Sequence, residues 1–93
     1  MPSHPNFKID LAPNLTLTEM EGKWVLFSKH TGDFFGLNES AGIFLNILIQ
    51  NDFLTSLKLA RKEFDAPEEV LERDFLELIH SLESQKLLKK LPL

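Results

Sequence analysis

Carboxylates and imidazoles are the side chains of this sequence that could do acid–base or metal chemistry. Glu68, Glu69, Glu72, Asp74, Glu77 and Glu83 crowd one late segment, and the histidines are His4, His30 and His80. A general acid–base pair needs a pocket that shifts a pKa, and a metal needs ligands at fixed spacing. The sequence shows neither. The histidines fall in an N-terminal tail, a turn and a helix, with no second histidine at ligand spacing. The carboxylates fit a solvated helix face, where pairs such as Glu69 and Arg73 add support one turn apart. Absence of cysteine excludes a disulfide, a thiolate nucleophile and a cysteine metal site. The glycines stand singly at Gly22, Gly32, Gly36 and Gly42, so there is no glycine-rich phosphate loop. No catalytic residue, metal or cofactor is expected.

The chain is also small. With 93 residues it has room for one domain and one modest core. Its net charge of −4, shared between both halves, argues against the basic face of a nucleic-acid binder. No apolar run approaches the ~20 residues of a membrane span; the longest, Ile43 to Ile49, is broken by Asn46. Met1 to Asp10 lacks an apolar signal segment. A cytoplasmic domain is expected.

The elements that must position any site follow from periodicity. Residues 1–14 contain Pro2, Pro5 and Pro13 and read as a flexible lead-in to a domain over 15–93. From Leu15 to Met20 apolar and polar residues alternate, as in a strand. Glu21-Gly22 is a turn, and Trp24 to Ser28 is a second strand rich in β-formers. After a turn at His30 to Asp33, Phe34 to Leu37 forms a third. The pattern then becomes helical. Asn38 caps a helix whose apolar face is Ile43, Phe44, Ile47 and Leu48. Phe53, Leu57, Ala60 and Phe64 mark a second helix. Asp65-Ala66-Pro67-Glu68 starts a third, which runs to about Gln85 with a core stripe of Leu71, Phe75, Leu78 and Leu82. The expected fold is α+β: a three-stranded antiparallel sheet followed by three helices.

Two features exceed what folding needs. The segment Asp33-Phe34-Phe35-Gly36-Leu37 is a sheet edge without the lysine, proline or bulge that usually guards one. Its adjacent phenylalanines must face opposite sides, so one can serve the core and the other a second surface; burial of both is the alternative. The third helix carries Leu76 and Ile79 beside its core stripe, bordered by Arg73 and His80. An open edge beside such a shoulder forms a groove for an extended peptide, which would add a strand. Leu76 and Ile79 could equally cover the N-terminal tail or a dimer partner, and the flank with Val70 and Glu77 is the other choice for the groove.

These residues carry a resemblance. Gly32-Asp33-Phe34-Phe35-Gly36-Leu37-Asn38-Glu39-Ser40-Ala41 resembles the strand–helix junction of PqqD-like proteins. Trp24-Val25-Leu26-Phe27 looks like their preceding strand. Glu63-Phe64-Asp65, the run Glu72-Arg73-Asp74-Phe75-Leu76-Glu77-Leu78-Ile79 and Leu87-Leu88 are similar to their later segments. Together the pieces span about residues 15–88. The resemblance implies a winged-helix-like recognition element for ribosomally made, post-translationally modified peptides. Such proteins hold the leader segment of a precursor peptide as an added strand and deliver it to a maturation enzyme, without catalytic residues of their own. The Phe34-to-Asn38 junction looks most like the stand-alone proteins of lasso-peptide biosynthesis, whose partner is a separate leader peptidase. Members serving a radical SAM enzyme in pyrroloquinoline-quinone synthesis carry a Cys-Asp-Gly-like motif where this chain has Gln50-Asn51-Asp52. Lys86 stands where the family usually has glycine. Carried onto this chain, Asp33, Phe34, Phe35, Gly36 and Leu37 would supply main-chain pairing, and Leu76 and Ile79 an apolar wall. Arg73 would meet a leader carboxylate, with His80 beside it. Asp74 matches a family aspartate, with a local structural hydrogen bond as the equal reading. The expected partners are a leader peptide and a maturation enzyme, with no nucleic acid and no membrane, and the protein is expected to be a monomer. A winged-helix DNA-binding domain is the alternative from another class.

Overall fold

The computed structural model describes residues 6–92. Its elements are β1 (Phe7–Leu11), β2 (Leu15–Met20), β3 (Lys23–Ser28), β4 (Phe34–Leu37), α1 (Glu39–Gln50), α2 (Phe53–Glu63), α3 (Glu68–Ser84) and β5 (Leu88–Pro92). The antiparallel sheet β2-β3-β4 and the three helices stand where the sequence pattern puts them. Glu21 and Gly22, at φ 53° and 80°, close the first hairpin in two residues, the left-handed turn that suits strand twist.

One expectation needs correction. Residues 7–11, assigned to a flexible lead-in, form β1 and pair antiparallel with β5 from Phe7↔Pro92 to Leu11↔Leu88. Phe7 and Ile9 are buried while Lys8 and Asp10 are exposed, a period-two pattern too short to stand out locally. Its partner lies at the other end of the chain. His4 and the rest of the lead-in before residue 6 lie outside the described residues.

Asn6 and Asp52 tie this strand to α2. The Asn6 Oδ1 accepts the N–H of Phe7 (3.0 Å) and of Leu54 (3.1 Å). The Asp52 Oδ1 accepts the N–H of Thr55 at 2.7 Å. Two of the otherwise unpaired amides at the start of α2 are thus satisfied. Thr55, through its backbone and then its side chain, holds the Asp52 carboxyl below its usual pKa, with Asn6 and Lys8 adding to the effect.

A chain of rings joins the layers. Phe7 stacks on Phe53 at 4.7 Å, and Phe53 meets Phe75 at 6.4 Å. Phe75 stands edge-on to Phe44 at 4.3 Å, which in turn meets Phe64 at 4.9 Å. On α3 the core stripe is Leu71, Phe75, Ile79 and Leu82. Relative to the expected stripe, Ile79 replaces Leu78, which is half-buried. Trp24 of β3 lies so close to α1 that a Cβ at Gly42 would collide with its ring. Glycine is therefore required for the approach of sheet to helix.

α3 ends in a left-handed residue. Lys86 has φ 62°. Its N–H bonds the Glu83 carbonyl at 2.9 Å, and the Leu87 N–H bonds the Leu82 carbonyl at 2.9 Å. This is the paired closure usually built on glycine. The lysine keeps the geometry and bears the left-handed strain.

Two stability predictions follow from these caps. Lys86→Gly should raise unfolding stability by about 0.5–1 kcal/mol, the left-handed penalty relieved less the added freedom of the unfolded chain. Asp52→Ala should lower it by ~1 kcal/mol at neutral pH. Because folding depresses the Asp52 pKa, its contribution is complete above the ordinary carboxyl range and is lost as pH falls through the folded value. Urea titrations of both variants at neutral and acidic pH measure these effects.

Candidate peptide-binding edge

The phase of hydrogen bonding decides which groups of β4 are free. Opposite residues in an antiparallel pair alternate between bonded and non-bonded. The β3–β4 register runs Trp24↔Leu37, Val25↔Gly36, Leu26↔Phe35 and Phe27↔Phe34. The next pair is fixed by the Ser28 N–H donating to the Asp33 carbonyl at 2.9 Å. Leu26↔Phe35 and Trp24↔Leu37 are thus the bonded pairs. The Lys29 N–H donates to the Asn14 carbonyl at 2.9 Å, which fixes the complementary phase on the β2 side of β3.

It follows that Phe35 and Leu37 direct their N–H and C=O groups into the sheet. Asp33 is also engaged, its N–H on the Thr31 Oγ1 at 3.3 Å. Only Phe34 and Gly36 present main-chain groups to the open side, and no strand among the described residues pairs there.

Side chains divide by face. Phe35 lies opposite the fully buried Leu26 and packs against the core with Leu37. Phe34 is on the other face, 67% exposed, its ring 4.8 Å from that of Phe27. The two phenylalanines therefore split between a core surface and a free one.

Where β4 passes into α1, an open depression separates the first turns of α1 from one flank of α3. Asn38, Ser40, Ala41, Phe44, Asp74, Glu77 and Leu78 line it. Asn38 is held rigid as the α1 cap, its Oδ1 accepting the Ala41 N–H at 2.8 Å. Phe44 and Leu78 give the depression an apolar floor continuous with the core, and Asp74 and Glu77 give it an acidic rim. Arg73 lies 3.8 Å from Asp74, both side chains largely exposed, so the pair is weak.

The expected wall is placed otherwise. Ile79 is fully buried and has no surface to offer. Leu76 packs half-buried against the core. At ~100° per residue, Leu76 and Leu78 stand ~160° apart, so Leu76 and the exposed His80 lie on the flank away from the depression. Asp74 is the residue of the expected α3 set that lines it. Leu78, Glu77, Phe44 and the α1 start complete it. Periodicity assigns Phe44 and Leu78 to the core, and both also line this depression. Among the described residues no cluster of metal-ligating side chains occurs, and no helix is long and apolar enough to cross a membrane.

The family model for coenzyme PQQ synthesis protein D (PqqD) matches residues 23–88, the greater part of the chain. Two solved structures share its fold. TbiB1 in complex with the TbiA(beta) leader peptide is 18% identical, with a TM-score of 0.75 over 86% of this chain and 94% of that one. Lasso peptide synthetase B1 complexed with the leader peptide is 19% identical, with a TM-score of 0.76 over 88% and 98%. At such identities the likeness is one of fold. No curated protein matches the chain at comparable strength.

The bonding phase makes a direct prediction for amide hydrogen exchange. In the free protein the Phe34 and Gly36 amides should exchange at least ~10-fold faster than those of Phe35 and Leu37, as solvent-facing groups open at almost no free-energy cost. Equal protection along β4 would show that the phase is wrong.

Proposed function

The chain belongs to the PqqD family, and on that premise we propose that it is a non-catalytic recognition element for a precursor peptide. It binds the leader segment as a strand added to β4 and presents it to a maturation enzyme. The observation that carries this reading is the unguarded edge at Phe34 and Gly36, beside a partly apolar depression. Each of those residues offers an N–H and a C=O to an incoming strand. Alternate peptide side chains would then point inward, to Phe44, Leu78, Asp74 and Glu77, or outward beside Phe34. The two solved structures of this fold whose names include a leader peptide support the choice of ligand. Asp74 and Glu77 suit a basic side chain among the inward residues, and Arg73 an acidic one nearby.

The maturation partner is a separate leader peptidase of the lasso-peptide type, with a radical SAM enzyme of pyrroloquinoline-quinone type as the second reading. The adaptor works as a monomer in the cytoplasm. A DNA-binding winged helix is disfavoured by α3, which has one arginine, no lysine and acidic residues at Glu68, Glu69, Glu72, Asp74, Glu77 and Glu83.

The test is titration with the leader of a precursor encoded nearby, read by Trp24 fluorescence. Phe34→Pro removes an outward donor and should weaken binding ~10-fold or more, equivalent to ~1.4 kcal/mol, while the fold persists. Phe35→Pro removes an inward ladder bond and should destabilise the sheet itself. Full-strength binding by folded Phe34→Pro protein would exclude the edge as the binding site.

A further inference from the structure

A second concavity lies away from β4. The end of β1, the turn after it, the close of α3 and the start of β5 enclose a cleft of about 620 Å³. Ligand sites typically measure roughly 300 to 1,000 Å³. Leu11, Ala12, Pro13 and Leu88 give the cleft an apolar lining. Asp10 and Lys89 stand on its strand side, Glu83 and Lys86 on its helix side. Each side thus carries one carboxylate and one ammonium.

These four charges are unused. Asp10 lies directly opposite Lys89 in the β1–β5 ladder, yet among the described residues none of the four forms an ion pair. The Ala12 N–H donates to the Leu87 carbonyl at 2.8 Å, which makes Asp10↔Lys89 a bonded pair and Leu11↔Leu88 a non-bonded one. Leu88 therefore spends neither its N–H nor its C=O on β1, and no described strand pairs on the other side of β5. A ligand that satisfies such a lining has main-chain hydrogen-bonding groups, an apolar part and charges of both signs. A polypeptide segment supplies all three. A nucleotide or a free anion would meet Asp10 and Glu83 as like charges, which is costly.

The cleft is separate from the depression beside β4. Asp74 and Glu83 are nine residues apart on α3, ~14 Å along its axis and ~180° around it. The two concavities share no lining residue, so one can be filled while the other is occupied.

We propose that this cleft is a second peptide-binding site, which takes a segment of a partner protein with an apolar residue between a basic and an acidic one. The apolar side chain seats on Leu11, Pro13 and Leu88. The basic group meets Asp10 or Glu83, the acidic group Lys86 or Lys89, and the segment's backbone meets Leu88. Single exposed ion pairs contribute little, so selectivity comes from the combination. A segment of one sign meets repulsion at two of the four charges. The site does not depend on strand addition at β4.

The test is titration of isotope-labelled full-length protein with capped tripeptides, read by amide chemical shifts. The mixed-charge probes are Lys-Leu-Glu and Glu-Leu-Lys; the controls are Lys-Leu-Lys, Glu-Leu-Glu and Lys-Ala-Glu. At least one mixed-charge peptide should shift the Leu11, Ala12, Leu88 and Lys89 amides with a Kd on the order of 1 mM. It should leave the Phe34 and Gly36 amides unmoved. The controls should bind about tenfold more weakly, a difference of ~1.4 kcal/mol. The double variant Asp10→Asn, Lys89→Gln keeps the net charge and alters only exposed side chains, so its melting temperature should hold. It should weaken the preferred peptide by about the same tenfold factor. No shift at about 10 mM, equal binding of all five peptides, unchanged affinity of the folded variant, or shifts at Phe34 and Gly36 in place of the cleft would each overturn the proposal. None of these results touches the reading of β4, which rests on leader titration and its own amides.

Discussion

The edge-on contact between Phe75 and Phe44 is the constraint on which the rest of this structure depends. Phe75 is fully buried on α3, and Phe44 lies on α1 at 4.3 Å from it. Through Phe53 and Phe7 the same ring system reaches α2 and β1, and through Phe64 the segment before α3. Ring pairs of this kind prefer tilted, interlocked geometries over sliding ones. The contact therefore sets both the spacing and the angle of α1 against α3. Since Phe44 also floors the depression next to β4, the width of that depression is a property of the core. A ligand seated there rests on the least compressible part of the molecule.

Much of the fold was legible because it is local. The β2–β3–β4 order followed from alternation and two turns, and the helices from the cap at Asn38, the restart at Asp65 to Glu68 and apolar spacing. Two things were not local. The pairing of β1 with β5 joins chain ends whose five-residue patterns carry little signal alone. The rotation of α3 is the second. Leu71, Phe75, Leu78, Ile79 and Leu82 together span a broad apolar arc, and either Leu78 or Ile79 can complete a four-residue stripe. Which one is buried depends on where α1 and the sheet lie. That one-residue ambiguity moved the expected groove wall from the flank with Leu78 to the flank with Leu76. The edge itself was legible from the bare sequence, since Phe34-Phe35-Gly36-Leu37 lacks any guarding residue. Its bonding phase was not, because phase is fixed by the Ser28–Asp33 closure of the hairpin.

Other exposed strands show that the edge at β4 is not mere neglect. β5 carries Lys89, Lys90 and Pro92, and Lys90 folds over the Phe7 ring. Charge and proline are common guards against unwanted pairing. β2, the opposite edge of the main sheet, carries Thr16, Thr18 and Glu19. β4 alone combines an exposed aromatic, a glycine and free main-chain groups. Its protection is brevity: four residues with only two outward-facing positions offer little to a chance strand.

That brevity also sets what kind of recognition is possible. Main-chain bonds are blind to sequence, so an edge this short cannot select a partner by pairing alone. Selectivity has to come from the side chains the pairing places, and a strand places them alternately on two faces. On the proposed reading one face of an added strand would meet Phe44, Leu78 and the carboxylates of Asp74 and Glu77, and the other Gly36, Phe34 and Val25. Two small, chemically distinct surfaces reading alternate residues reject a wrong register as well as a wrong sequence, because a one-residue slip exchanges every side chain between faces. For a peptide bound as proposed above, that discrimination matters more than a large interface.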